Sequence, residues 1–542
     1  MAPSAVLTAR RPVIVVLAVA LALAGLLLSS PVREVQAVGE TTRYNVVFNG
    51  TATQSGFTIA GGRQAALALL RTAGGTVVHD LTAQIGVAVV DSASTTFLQR
   101  VSRSSTVEVA AEDYSWKALP TTEEALASGA LPILDVPAVS VPVSHQQPSL
   151  PGGPQETEDP LEPLQWSMRL ACAQADPDRA QTCPRGAHSV QAGSPLVEVG
   201  ILDSGIDGDH PDLQANVNCA EGRDFVPVGP SPLTIGTPCD DNQFHGTHVA
   251  GIVAGDANGQ GIVGVAPNVT LIPFKVCDTA GYCYASSSAA AITEAGVQKF
   301  EVINMSYFVD DDIFLESTEF KCNSDPVQRA FLRANERAMV FARNQGVLPV
   351  AALGNSDQDL AHPVDDSGQP ISNECEVVQA ETQGVVGSMA LGRDSEKAGY
   401  SNYGVGMTDV AAPGGNFGAL SNLPTDQCER QVLSTIPPGI GTPLVAGYGC
   451  FQGTSMASPH TAGVAALIIS QFGRIGTDAG EQDVVMRPQE VENYLQSTVV
   501  DIGERGYDEC FGNGRINALR AVLHQTSRVY DAGAPACPEY AE

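Results

Sequence analysis

The chain has 542 residues, 43% of them apolar, with 60 acidic against 29 basic side chains and a formal net charge of -31. That apolar content excludes a globally disordered chain, and the acidic excess excludes a typical nucleic-acid binder, because it repels a phosphate backbone. A single long apolar run excludes a multispan membrane protein and leaves room for one large globular domain and a smaller one.

Arg10 and Arg11 precede the apolar run 13–28, which is followed by Ser29-Ser30-Pro31 and then Val35-Gln36-Ala37. A charged start, a greasy centre too short for a bilayer span of ~20 residues and a small-residue exit predict a signal peptide over 1–37. The expected product is secreted, with no membrane attachment once that leader is cut. All 12 cysteines lie between Cys172 and Cys537, which fits disulfides in an exported domain. Spacing leaves their connectivity open, although Cys277 with Cys283 and Cys219 with Cys239 would each close a short loop. No CxxC or HExxH spacing points to zinc.

Residues 38–118 read as a small domain. Strands are predicted at 44–48, 75–79, 85–90 and 107–110, with helices at 62–72 and 94–101. That βαββαβ order suggests a small α+β domain, an antiparallel sheet with helices on one face, only marginally stable by itself. Residues 119–164 read as a linker, since nine prolines fall between 119 and 163. An exposed linker is where processing would occur. Through residue 160 the chain carries 9 bases and 13 acids; the remainder carries 20 and 47, so the acidity belongs to the large domain.

Residues 165–542 alternate apolar strands with helices. Strands are predicted at 197–202, 269–276, 301–305, 347–352 and 384–390. Helices are predicted at 245–254, 286–298, 326–344 (with Pro326 in its first turn) and 459–471. This alternation predicts an α/β domain with a mostly parallel central sheet covered on both faces, whose ligands bind beyond the carboxyl ends of its strands.

Three positions there suit one chemistry. Asp203 ends an apolar strand in Val199-Gly200-Ile201-Leu202-Asp203. His245 opens a helix in His245-Gly246-Thr247-His248-Val249-Ala250-Gly251. Ser455 stands in Gly453-Thr454-Ser455-Met456-Ala457-Ser458-Pro459-His460, at a helix start. Each motif alone is weak: a strand-end Asp caps turns, two histidines three apart could bind metal, and a serine before a helix is often a cap. Together, a serine activated by a histidine that a carboxylate orients makes a nucleophile, and Asp, His, Ser is one of the known chain orders. An esterase of the Gly-x-Ser-x-Gly type fits poorly, because Ala457 replaces the second glycine and the order differs.

These three segments resemble the signatures of the subtilisin-like serine protease family. The resemblance covers about 165–525, and 41–115 resembles that family's inhibitory propeptide. It implies a three-layer fold and a secreted endopeptidase acting on protein or peptide substrates through an acyl-enzyme. The chain's own propeptide would serve as intramolecular inhibitor and folding aid. It implies Asp203 as orienting acid, His245 as general base and Ser455 as nucleophile. Asn355, in Ala351-Ala352-Leu353-Gly354-Asn355, would donate into the oxyanion hole. Ser306 and Gly354 would bind substrate, although Tyr307, Phe308 and Val309 stand where the family usually has small residues. Asp212 and Asn258 match the positions of a structural calcium site, with no cofactor needed for the chemistry. The rival expectation is a catalytically silent protein-binding domain, which should have lost a triad member.

Overall fold

The computed structural model describes residues 41–120, 159–227, 237–308, 325–364, 368–370, 377–416, 427–437, 447–478 and 481–537. The predicted leader, most of the predicted linker, Val309, Cys322 and Cys375 lie outside the described residues. No described helix is long and apolar enough to cross a membrane.

The N-terminal domain runs β1 (Thr42–Phe48), β2 (Gly50–Thr53), β3 (Gly56–Ile59), α1 (Arg63–Thr72), β4 (Thr76–Leu81), β5 (Val87–Ser92), α2 (Phe97–Val101), β6 (Val107–Glu112) and β7 (Ser115–Lys117). Its main sheet has the order β4-β5-β1-β6, and each paired neighbour is antiparallel. The hairpin β2-β3 is an addition to the predicted order. Strand β2 is exposed throughout and β3 offers only Phe57 and Ile59, too short an apolar pattern to read.

Strand periodicity gives this sheet two apolar faces. Tyr44, Val46, Phe48, Ala88 and Val90 pack under Leu70, Phe97 and Val101 of the two helices. The alternate residues Val47, Val87, Val109 and Ala111 join the core of the large domain instead. Residues 42–542 accordingly form one compact unit.

The large domain contains β8 (Glu198–Asp203), β9 (Arg223–Asp224), α3 (His245–Ala254), β10 (Thr270–Lys275), β11 (Tyr282–Tyr284), α4 (Ala285–Gln298), β12 (Val302–Met305), α5 (Pro326–Gln345), β13 (Leu348–Ala352), β14 (Val386–Leu391), β15 (Val410–Pro413), β16 (Val432–Ile436), β17 (Gly447–Phe451), α6 (Thr454–Phe472), β18 (Arg474–Asp478), β19 (Glu481–Val485) and α7 (Pro488–Ser497). The central sheet has the order β15-β14-β13-β12-β8-β10-β9, and its pairs are parallel. Val199 and Ile201 of β8 pack with α3 and α6, while Leu202 shares a core with α4 and α5. The fold is therefore a three-layer α/β domain preceded by a smaller α+β domain, as the strand-helix alternation predicted.

Local rules explain the helix limits. The Asp325 carboxylate caps α5 by accepting from the N–H of Val327 and Gln328, Pro326 opens the helix, and Gly346 closes it at φ 110. Helix α6 starts five residues before the predicted start at Pro459, which lies inside it. Proline removes the N–H that would bond the carbonyl of Ser455. The Ser306 hydroxyl donates to that carbonyl instead, at 2.8 Å, so the helix continues through the proline.

Among the described residues five disulfides are formed: Cys172–Cys183, Cys219–Cys239, Cys277–Cys283, Cys428–Cys450 and Cys510–Cys537. Both predicted short-loop pairs are among them. Residues 162–164 form a short helical turn, and Leu161 packs with Ile262, Leu433 and Tyr448, so the chain rejoins the large domain by residue 161.

Candidate active site

Three adjacent strands deliver side chains to one edge of the sheet. Asp203 ends β8, Ser306 follows β12 and Asn355 follows β13. Two helix starts face the same way: His245 opens α3, and Ser455 is the second residue of α6. Asp203 is fully buried, and its Oδ1 and Oδ2 lie 2.9 and 3.0 Å from His245 Nδ1. The Ser204 N–H also donates to Asp203 Oδ1 at 2.7 Å. A carboxylate so held fixes the imidazole with Nδ1–H toward the acid and leaves Nε2 as the basic nitrogen.

The start of α3 is braced by residues that belong to no motif. Asp241 accepts from the Ser204 hydroxyl, from the N–H of Gln243, Phe244 and Thr247, and from the Thr247 hydroxyl. The Gln243 amide oxygen accepts the N–H of His245 at 2.8 Å. Phe244 between them is held at φ 119, a region a bulky residue seldom adopts. Asp241 gives little signal in the sequence, because it stands four residues before the helix-opening histidine and not next to the helix, where a cap is sought. Gly246 is required by packing: a Cβ there would stand 2.1 Å from the Gly205 carbonyl oxygen.

Ser455 and Asn355 border a common space. A Cβ built on Gly453 would lie 3.1 Å from Ser455 Oγ and 3.7 Å from Asn355 Nδ2. Asn355 Oδ1 accepts from the N–H and hydroxyl of Thr454, both at 2.9 Å, which turns its amide nitrogen away from the helix. Gly354 stands at φ 107, where a Cβ would meet Asn402 Nδ2 at 2.3 Å. Asn402 props this turn by bonding Leu353, Ser356 and Gln358, another role invisible in the sequence. The Ser306 hydroxyl is committed inward, to the Ser455 carbonyl and to Ser458 at 2.9 Å, so its own backbone is the part left for a substrate. Tyr307 is buried and its hydroxyl meets Ser288 at 3.1 Å.

His248 is a packed, hydrogen-bonded histidine. It is fully buried, with Nε2 3.0 Å from the Gly449 carbonyl and its ring edge-on to Phe451 at 4.5 Å. Burial pushes its pKa down to about 3.

Asp212 lies away from the sheet edge. Its Oδ2 accepts from the Ile262 N–H and the Tyr448 hydroxyl, while its buried Oδ1 has no hydrogen-bond partner. Asn258 spans Pro211 and Gln260 beside it. A second carboxylate, missed in the sequence, stands near: Asp159 is 2% exposed, and neither of its oxygens finds a hydrogen-bond partner. Burial raises both carboxyls to about 7, and for Asp159 the charge of Asp212 adds to it. No group of three or more His, Cys, Asp and Glu side chains is gathered among the described residues.

The family model described as "Subtilase family" matches residues 196–514. The chain belongs to the subtilase family. Among subtilases, it is 31% identical over 339 residues to the thermophilic serine proteinase of Bacillus sp. (strain AK1), covering 62% of this chain and 64% of that protein. It is 29% identical over 453 residues to the alkaline protease of Alkalihalobacillus alcalophilus, covering 79% of this chain and 97% of that one. The fold matches the epidermin leader peptide processing serine protease (EpiP) of Staphylococcus aureus with a TM-score of 0.61 at 18% identity, over 91% of this chain and 100% of that structure.

Proposed function

We propose that this subtilase is an exported serine endopeptidase made as a self-processing zymogen. The observation that carries the chemistry is the buried Asp203 carboxylate on His245 Nδ1. His245 Nε2 takes the proton from Ser455 Oγ as that oxygen attacks the scissile carbonyl. The oxyanion is held by Asn355 Nδ2 and the Ser455 N–H, at the positive end of α6. His245 then protonates the leaving amine, and water repeats the cycle on the acyl-enzyme. Five disulfides support export, since they persist in oxidising compartments.

The zymogen reading rests on the segment after the N-terminal sheet. Strand β7 pairs antiparallel with β11, and the two alone make a two-stranded sheet, as when an extended peptide pairs with a single strand. Trp116 is buried against Phe331, 5.2 Å between ring centroids, and Leu119 is 2% exposed. Gln243, which also holds the His245 N–H, donates to the Pro120 carbonyl. A chain so placed would exclude other peptides.

Replacing Ser455 with Ala tests the assignment. The Ser455→Ala protein should hydrolyse no peptide, escape labelling by a fluorophosphonate and keep residues 41–120 covalently attached. Labelling at Ser455 in the parent would also exclude a silent binding domain. Normal turnover by the variant would end the hydrolase reading.

Calcium is the proposed structural ion. The unpartnered oxygens of Asp159 and Asp212, with Asn258 beside them, suit a hard cation that would relieve two buried charges. Chelation should lower the melting temperature of the parent, with a smaller drop in Asp212→Asn; identical melting in both proteins with and without chelator would refute the site.

A further inference from the structure

Helix α5 carries Arg329, Arg333 and Arg337, four residues apart and therefore on one face. All three turn toward one carboxylate of the other domain, Glu108 in β6. Glu108 Oε1 lies 3.8 Å from Arg329 Nη2 and 3.4 Å from Arg333 Nε, and Oε2 is bound by Arg337 Nη2. Arg337 does more. Its Nη1 lies 3.0 Å from the Phe48 carbonyl oxygen and 3.4 Å from that of Ile85. Its guanidinium carbon stands 4.6 Å from the centre of the Phe57 ring. Four pieces of the N-terminal domain thus converge on one side chain: the end of β1, β3, the turn before β5, and β6.

An ordinary surface ion pair contributes little, because water screens it. Arg337 differs in kind. Phe48 and Ile85 are buried, so losing the guanidinium would leave two carbonyls short of a donor as well as a carboxylate short of a partner. Arginine is the side chain that can serve carbonyls, a carboxylate and a ring face at once. A cavity of about 580 Å³ opens beside it, lined in part by Phe57, Glu108 and Arg333, so dissolved ions can reach the contact.

We propose that Arg337 is the anchor by which the large domain recognises its N-terminal domain, with Arg329 and Arg333 completing a carboxylate-recognition row for that partner. The consequence for activity rests on the zymogen reading above. Segment 115–120 engages the cleft as a peptide would, whereas this row selects a folded partner through an acidic residue ringed by backbone carbonyls. Docking strength then falls as salt rises, and release after linker cleavage depends on ionic strength.

The test uses the full chain carrying Ser455→Ala and a cleavage site for a sequence-specific protease inserted within 121–158. After cutting, the dissociation constant of the N-terminal fragment is measured at low and high salt. Arg337→Ala should weaken retention about 30-fold or more and flatten the salt dependence. Glu108→Gln approaches the same contact from the other domain and should weaken it about tenfold. The double variant should lose much less than the product of the two. Arg343→Ala, on the same helix but bonded to Gly384 and Glu492, should leave the constant unchanged. Retention by Arg337→Ala within threefold of the parent, or additive losses in the double variant, would overturn the anchor. With Ser455 restored, release by Arg337→Ala without any gain in peptide hydrolysis would refute the inhibitor reading and leave the anchor standing.

Discussion

Asn355, the proposed oxyanion donor, is fixed by the atom that the proposed chemistry does not use. Both hydrogen bonds from Thr454 go to its Oδ1, which aims Nδ2 at the space beside Ser455. Asn355→Ala should lower kcat about 100- to 1000-fold with little change in KM, because the donor acts on charge that develops only in the transition state. Steady-state kinetics on a peptide substrate would check this, and a pure KM effect would contradict it. His248 belongs to the same scale. Its pKa falls from 6.5 to about 3 through burial, so the fold holds it neutral. As pH drops below 6.5 the unfolded chain takes a proton that the folded chain refuses, and stability is lost by up to about 1.4 kcal/mol per pH unit. The buried carboxyls of Asp159 and Asp212 act in the opposite sense. The comparison is therefore between Ser455→Ala protein with and without His248→Gln: the parent's advantage in urea midpoint should shrink steadily from pH 6.5 toward 4.

At the scale of elements, α6 is a helix that keeps a proline by borrowing a donor from the residue that follows a neighbouring strand. Ser306 supplies that donor, and it also meets Ser458 and receives the Asn304 amide at 2.8 Å. Ser306→Ala should cost about 1–3 kcal/mol, since it orphans a buried carbonyl. It should also lower kcat, because the helix start carries the proposed nucleophile. Equilibrium denaturation and kinetics on one variant would read both, and unchanged values would show that Pro459 is accommodated without it. Helix α3 is secured differently, by the Asp241 cap and by Gly251, where a Cβ would sit 2.3 Å from Thr435 Oγ1 of β16.

At the scale of the molecule, the small domain completes the large one. Helix α4 has no side-chain cap of its own. Asp113, from the N-terminal domain, accepts from the Ser286 N–H at 3.0 Å and from the Ser286 hydroxyl, and the Tyr114 carbonyl accepts the Ala285 N–H. Burial raises the Asp113 carboxyl above its usual range. Parallel sheets assemble slowly, because their contacts are distant in sequence. A chain lacking residues 41–120 should therefore refold from denaturant in lower yield than the full Ser455→Ala chain; equal yields would refute the folding-aid role.

The sequence by itself determined many of the elements and the candidate reactive residues. Apolar runs such as 199–202 and 347–352, and the glycine-rich motifs around His245 and Ser455, are local patterns tied to backbone geometry. Most of the predicted helices and strands therefore fall within a few residues of observed ones, while short strands such as β2, β7 and β11 were not legible, and Asp203 could be paired with His245 in advance. Tertiary structure alone decided the rest. Asp241, Gln243, Asn402 and Asp159 carry no motif, because each acts on partners brought near by folding. The start of α6 was hidden because the donor that serves the Ser455 carbonyl in place of Pro459 lies 149 residues from Ser455 in sequence. The arginine row on α5 reads as an ordinary solvated helix face until a second domain sets Glu108 against it: a side chain's identity is local, but its hydrogen-bond partners are not.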